Sequence, residues 1–172
     1  MKRLLLAAAL TLLTAGSAMA QTVIIVRHAE KADASADPVL SEAGQARAQA
    51  LAAALTDAHP SVILTSPLQR TRLTAAPTAD YHSTAPEAVP LAGGVETHAA
   101  AVAARVRALP EDAVVLIVGH SNTVPAIARA LGYAEAADMP ECEYDRMTVL
   151  HLTGDGAVHS EVSRYGEATT CP

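Results

Sequence analysis

Three short apolar runs, at residues 23–26, 62–64 and 114–118, constrain the fold of this chain most. Each is uniformly apolar instead of alternating, and each precedes a stretch with helical periodicity. Strands buried on both faces and separated by helices are what a parallel sheet covered on both sides requires. The expected fold is an α/β domain: a three-layer α/β/α sandwich with a mostly parallel sheet. Residues 147–152 and 158–164 flank Thr153-Gly154-Asp155-Gly156, which predicts an antiparallel hairpin at the C-terminal edge of that sheet.

The helices between these runs carry their own signals. Ser41 is a fitting N-cap for a first helix with Ala43, Arg47, Ala50, Leu51, Ala54 and Leu55 on one face. Gly44 in that helix suits close packing on the sheet. Ser66-Pro67-Leu68-Gln69 reads as a capping box opening a second helix, which puts Arg70 in its first turn. Pro77 and Pro86 predict that this helix breaks and gives way to a loop. A third helix is expected from about Glu96 to Leu109, and a fourth follows Gly119-His120-Ser121-Asn122-Thr123 and ends at Gly132.

Residues 1–20 read as a secretory leader. Lys2 and Arg3 precede an apolar stretch at residues 4–13, too short to span a membrane, and Ala18-Met19-Ala20 is a small-x-small cleavage site. A single domain over residues 21–172, exported to the periplasm or secreted, is the expectation. Losing Lys2 and Arg3 takes the formal net charge from −6 to −8. That balance argues against nucleic acid or an anionic membrane surface as partner, so any anion must be held by a local cationic pocket. Cys142 and Cys171 are expected to form a disulfide in an exported chain, and without a C-x-x-C they make a weak zinc site.

The chemistry gathers at strand ends. Arg27 and His28 close the first run, Arg70 follows the second, and His120 follows the third. In a parallel sheet these ends share one edge, where α/β proteins bind ligands. Singly, each has an ordinary reading as a hydrogen-bonded core histidine or a solvated arginine. Together they read as a phosphate site: guanidinium forks match phosphoryl oxygens, the helix start beside Arg70 adds oriented N–H groups, and a histidine there can attack phosphorus to form phosphohistidine. His82, His98, His151 and His159 lack such context and read as structural.

Arg27-His28-Ala29, Ser66-Pro67-Leu68-Gln69-Arg70-Thr71-x-x-Thr74-Ala75 and Gly119-His120-Ser121 resemble, in order, the motifs of the histidine phosphatase superfamily, also called phosphoglycerate mutase-like. Leu40-Ser41-x-x-Gly44-x-x-Arg47-Ala48 is similar to its first helix. The resemblance implies that His28 accepts the phosphoryl group and that Arg27, Arg70 and His120 bind it, His120 as a protonated donor. It implies no metal or cofactor, and a small-molecule phosphomonoester or inorganic phosphate as ligand. It places a general acid between the second arginine and second histidine, where Glu96 fits and Glu87 is the weaker choice. The longer insertions and the Glu-Arg-x-Tyr-Gly stretch of mutases are missing, which favours hydrolysis.

Two readings compete. Gly119-His120-Ser121-Asn122-Thr123 imitates the nucleophile elbow of an α/β-hydrolase esterase, with Asp145 and His151 or His159 downstream, although Thr123 replaces the final glycine. A phosphate-binding relative without catalysis is the other. His28-x-Glu30 alone suggests a zinc deaminase, but no Pro-Cys-x-x-Cys follows. Glu30 and Lys31 are expected to pair as loop charges.

Overall fold

The computed structural model describes residues 20–171; the expected leader lies outside them except for Ala20, which opens the first strand. In chain order the elements are β1 (Ala20–Arg27), α1 (Glu42–Ala54), β2 (Val62–Thr65), α2 (Gln69–His82) and β3 (Pro86–Ala88). They continue with α3 (Gly94–Arg107), β4 (Val114–Gly119), α4 (Thr123–Ala130), β5 (Arg146–Thr153) and β6 (Val158–Arg164). The sheet runs β3-β2-β4-β1-β5-β6. β3, β2, β4 and β1 are parallel neighbours, and β5 and β6 add the expected antiparallel edge.

The uniform apolarity of the strands follows from two cores. Val23 and Ile25 of β1 join Val115 and Ile117 of β4 under Val102, Val106 and Ile127 from α3 and α4. Ile24 and Val26 point the other way, with Leu116 and Val118, onto Leu51 of α1 and Ala75 of α2. Successive strand residues face opposite sides, so both parities must be apolar.

Ser41 caps α1 as expected, its hydroxyl accepting from the Gly44 N–H at 3.1 Å. Gly44 packs against the loop after β1 and not the sheet: a Cβ there would collide with the Glu30 carbonyl. Two further expectations are corrected. α2 continues through Pro77 to His82 without a break. Pro77 costs the helix about 3 kcal/mol, which the burial of Thr74, Ala75, Thr78 and Ala79 on the same helix outweighs. Residues 86–88 form the edge strand β3, where a first-position proline is tolerated.

Cys142 and Cys171 are bonded, with Cα atoms 5.3 Å apart. The C-terminal tail is further held by Arg47 of α1, whose Nη1 donates to the carbonyls of Tyr165 at 3.2 Å and Glu167 at 2.9 Å. Asp145 accepts from the Thr169 N–H at 3.2 Å. A bond closing a sequence separation of 29 residues stabilises by about 3–4 kcal/mol in the chain-entropy model. The Cys142→Ser/Cys171→Ser double variant should lose about that much in urea unfolding. Thiol labelling of the unreduced, denatured protein should modify neither cysteine; modification of both would refute the pairing.

Candidate active site

Strand register brings the two histidines together. Arg27 pairs with Gly119 across β1 and β4, so His28 and His120 leave adjacent strands side by side. The His28 N–H donates to the Gly119 carbonyl at 2.9 Å, and the two imidazole centroids lie 5.2 Å apart. Thr65 of β2 pairs with Val118 of β4, which delivers Ser66 and the start of α2 to the same edge. Gly119 is required here because a Cβ would lie 2.8 Å from Thr123 Oγ1, the atom that accepts the His120 N–H at 2.8 Å.

A cavity of about 410 Å³ opens at this edge, lined by Arg27, His28, Arg70 and His120 together with Lys31 and Glu141. Four of the five expected site residues are therefore gathered, and Glu96 is not. Glu96 is exposed in the first turn of α3, and its neighbours Gly94 and Val95 line the cavity in its place. The weaker candidate Glu87 lies on the exposed strand β3, paired to Arg105 at 2.9 Å.

His28 is only 3% exposed. Its Nδ1 lies 2.7 Å from the Ala29 carbonyl, which can only accept, so Nδ1 carries the proton and Nε2 keeps its lone pair. Burial, with the charges of Arg27 and Arg70, lowers its pKa to about 4 against the opposing bond to Ala29. The imidazole is thus neutral at pH 7. The loop behind it is tied to α2, where Thr74 Oγ1 accepts from the Ala29 N–H at 2.9 Å.

His120 ends a hydrogen-bond chain. Thr71 Oγ1 donates to the Leu68 carbonyl at 2.9 Å and lies 2.9 Å from Ser66 Oγ. The Ser66 hydroxyl then donates to Thr71, and its oxygen accepts from His120 Nε2–H at 2.9 Å. The other nitrogen, His120 Nδ1, is buried without a partner. Burial first, then His28 and Arg70, lowers the His120 pKa to about 3. An anion at the ring edge acts in the opposite sense and favours the doubly protonated donor.

Ser66 is therefore not half of a capping box. Leu68 is the N-cap of α2 and makes no side-chain cap bond; the Gln69 N–H is taken by Asp37 Oδ1 at 2.7 Å. Asp37 also lies 4.0 Å from Arg70 Nη1, and the Ala36 carbonyl accepts from the same nitrogen at 3.4 Å. The loop after β1 thus positions Arg70. Lys31 lines the cavity instead of pairing with Glu30, which binds Arg47 Nε at 2.8 Å.

Arg27 is 1% exposed. Its Nη1 donates to the carbonyls of Pro140, Glu141 and Glu143 at 3.1, 2.7 and 3.2 Å, and Nη2 binds Glu141 Oε2 at 2.8 Å. The Tyr144 ring lies 4.2 Å from the guanidinium carbon. Neither Ser66 nor Glu141 was expected to touch the site's side chains, whereas Asp37 lies in the polar loop 31–38, a stretch that reads as bordering a site. Ser66 and Asp37 sit in stretches whose polarity hinted at it, whereas nothing local marks Glu141.

The esterase geometry does not form. Ser121 donates its hydroxyl to Glu141 Oε1. Asp145 serves Arg164 and Thr169, and His151 pairs with Thr22, five residues or roughly 16 Å along β1 from Arg27. His159 faces His151 across β5 and β6 at that same far end.

Arg27 Nε, Arg70 Nε and His120 Nδ1 are all buried without a hydrogen-bond partner. Buried donors are rarely left so, and the two guanidinium N–H groups, on side chains lining one cavity, make an anion-binding site at a sheet edge, with His120 Nδ1 beside them as a lone pair that an anion can cause to be protonated. The sequence pattern of the histidine phosphatase superfamily (branch 1) matches residues 23–96. No curated protein sequence matches the chain. Among solved structures, a protein from Nakamurella multipartitia designated phosphohistidine phosphatase SixA is 26% identical, with a TM-score of 0.60 over 85% of this chain and 96% of its own. Mycobacterial glucosyl-3-phosphoglycerate phosphatase, solved with VO3, is 17% identical at a TM-score of 0.62 over 83% and 97%. Entamoeba histolytica phosphoserine phosphatase, solved with 3-phosphoglyceric acid, is 14% identical at 0.59 over 86% and 98%. Over residues 23–96 the chain is thus similar in sequence to the histidine phosphatase superfamily (branch 1), and its fold is similar to that of the phosphatases named above.

The two depressed histidines set an acid limit on stability. The folded state binds fewer protons than the unfolded chain, whose histidines titrate near 6.5, so this stability is present above pH 6.5 and is lost as pH falls towards about 4 for His28 and about 3 for His120. Urea unfolding at pH 7 and pH 4.5 should show a marked loss for the wild type and a smaller one for His28→Asn/His120→Asn. Equal losses would show that these rings are not buried neutral.

Proposed function

We propose that the protein is an exported phosphomonoesterase working through a phosphohistidine on His28. The observation that supports this most is the bare Nε2 of His28 in the cavity that holds the three unpartnered nitrogens. Arg70 and the Nε/Nη2 edge of Arg27 take the phosphoryl oxygens, and His120 Nδ1 becomes a further donor once the bound anion favours the imidazolium. Nε2 of His28 attacks phosphorus in line, and water then releases phosphate from the phosphohistidine. The fixed cations act on the charge of the transferring group without reorganising.

The match of residues 23–96 to the histidine phosphatase pattern supports phosphatase activity, and the named neighbours act on phosphorylated small molecules or phosphohistidine according to their designations. Export is supported by the leader signal in residues 1–20 and by the disulfide. We read residues 21–172 as one domain.

His28→Ala should abolish phosphate release from p-nitrophenyl phosphate and leave no acid-labile phosphoenzyme, whereas Ser121→Ala retains turnover; the reverse pattern would return the esterase. Retention of phosphate by a wild type without turnover would indicate a binding module. Arg70→Lys should lower kcat/KM by about 10²–10³-fold, because a point charge cannot replace the planar fork; near-normal kcat/KM would remove Arg70 from the phosphate site.

A further inference from the structure

Among the described residues lining the cavity, the one carboxylate is Glu141. Its backbone is fixed: its own carbonyl and those of Pro140 and Glu143 accept from Arg27 Nη1, and the next residue, Cys142, is bonded to Cys171. Its side chain is 81% exposed, with Oε2 at 2.8 Å from Arg27 Nη2 and Oε1 accepting from Ser121.

These contacts restrict where a substrate can lie. Arg27 Nη1 is occupied by backbone, so a phosphoryl group engages the Nε and Nη2 edge, and Nη2 is the nitrogen Glu141 shares. The carboxylate therefore flanks the bound phosphoryl group. His28 is buried at 3% exposure while Glu141 is open to solvent. In-line attack from His28 sends the leaving group away from the cavity floor, towards Glu141.

Resting on the phosphohistidine reading, we propose that Glu141, and not Glu96, is the catalytic residue that protonates the leaving-group oxygen and then activates water. In the first step His28 Nε2 forms the N–P bond as the ester P–O bond breaks. The bonding pair stays on the leaving oxygen, which takes the Glu141 proton and departs as an alcohol. In the second step the Glu141 carboxylate takes a proton from water as the water oxygen attacks phosphorus. The N–P bond breaks, its pair returns to Nε2, and phosphate leaves with Glu141 protonated again. The first proton is one a phosphomonoester carries near its second pKa of about 6. The Ser121 hydrogen bond, and after it the Arg27 charge, hold the Glu141 carboxyl below its ordinary range; a phosphoryl dianion on the same guanidinium works in the other direction.

The test compares kcat/KM of wild type, Glu141→Gln and Glu96→Gln on p-nitrophenyl phosphate, phenyl phosphate and glycerol phosphate, with trapping of the phosphoenzyme. Glu141→Gln should lose on the order of 10²–10⁴-fold on glycerol phosphate and much less on p-nitrophenyl phosphate, whose leaving group needs little protonation. It should also lose the basic limb of the pH profile on the alkyl ester. Equal losses on all three esters, a leaving-group-dependent loss in Glu96→Gln instead, or a wild type inert to glycerol phosphate would each overturn the assignment. A wild type that forms no phosphoenzyme from any ester would overturn the phosphohistidine reading, and the Glu141 role with it. Thermal unfolding of Glu141→Gln checks that the loop, held by its carbonyls and disulfide, remains folded.

Discussion

The buried guanidinium of Arg27 is the interaction on which the site depends. It ends the central strand β1 at 1% exposure, where an uncompensated charge would cost several kcal/mol. Three backbone carbonyls and one carboxylate meet that cost, all from residues 140–143. The cation therefore organises a loop more than 110 residues away in sequence, and the disulfide at Cys142 ties that loop to the end of the chain. What remains of Arg27 is one edge, Nε and Nη2, and the histidine beside it is held in the tautomer that can use that edge.

α2 is the second organiser, and it acts mostly through hydroxyls. Thr74 fixes the backbone after His28, while Thr71 and Ser66 fix the tautomer of His120. These side chains are 0–1% exposed, so each must be satisfied locally. Their small size lets α2 lie close against the two strand ends. A break at Pro77 would free the helix's lower half, whose buried Thr78 and Ala79 hold it to the sheet. Placement of the two histidines and helix packing are thus set by the same surface.

This division explains what was legible in the sequence. β1, β2 and β4 were readable because burial on both faces demands uninterrupted apolar runs, and Arg27, His28 and His120 because they follow those runs directly. Arg70 was readable through the helix start beside it. The capping box was not what it looked like: Ser66 has the spacing of a cap, but a buried imidazole competes for its oxygen and Asp37 satisfies the helix in its place. Local spacing cannot rank those two partners, since the imidazole arrives from 54 residues away. Glu141 was invisible for the same reason in stronger form, for it lies in irregular chain with no periodicity to place it. Glu96 was a positional expectation, and the turn of α3 that reaches the cavity does so through Gly94 and Val95.

The charge pattern then separates encounter from capture. The chain carries a formal charge of −6, yet the cavity is lined by Arg27, Lys31 and Arg70 against Glu141, a local excess of two positive charges. At physiological ionic strength the Debye length is about 8 Å, so the chain's net charge is largely screened at longer range and an approaching phosphoryl group responds chiefly to the charges of the pocket itself. A compact phosphomonoester places nearly all of its charge within reach of the two guanidiniums. On the proposed function, discrimination among small esters then falls to the exposed rim of the cavity, where Lys31 and Glu141 stand with opposite charges.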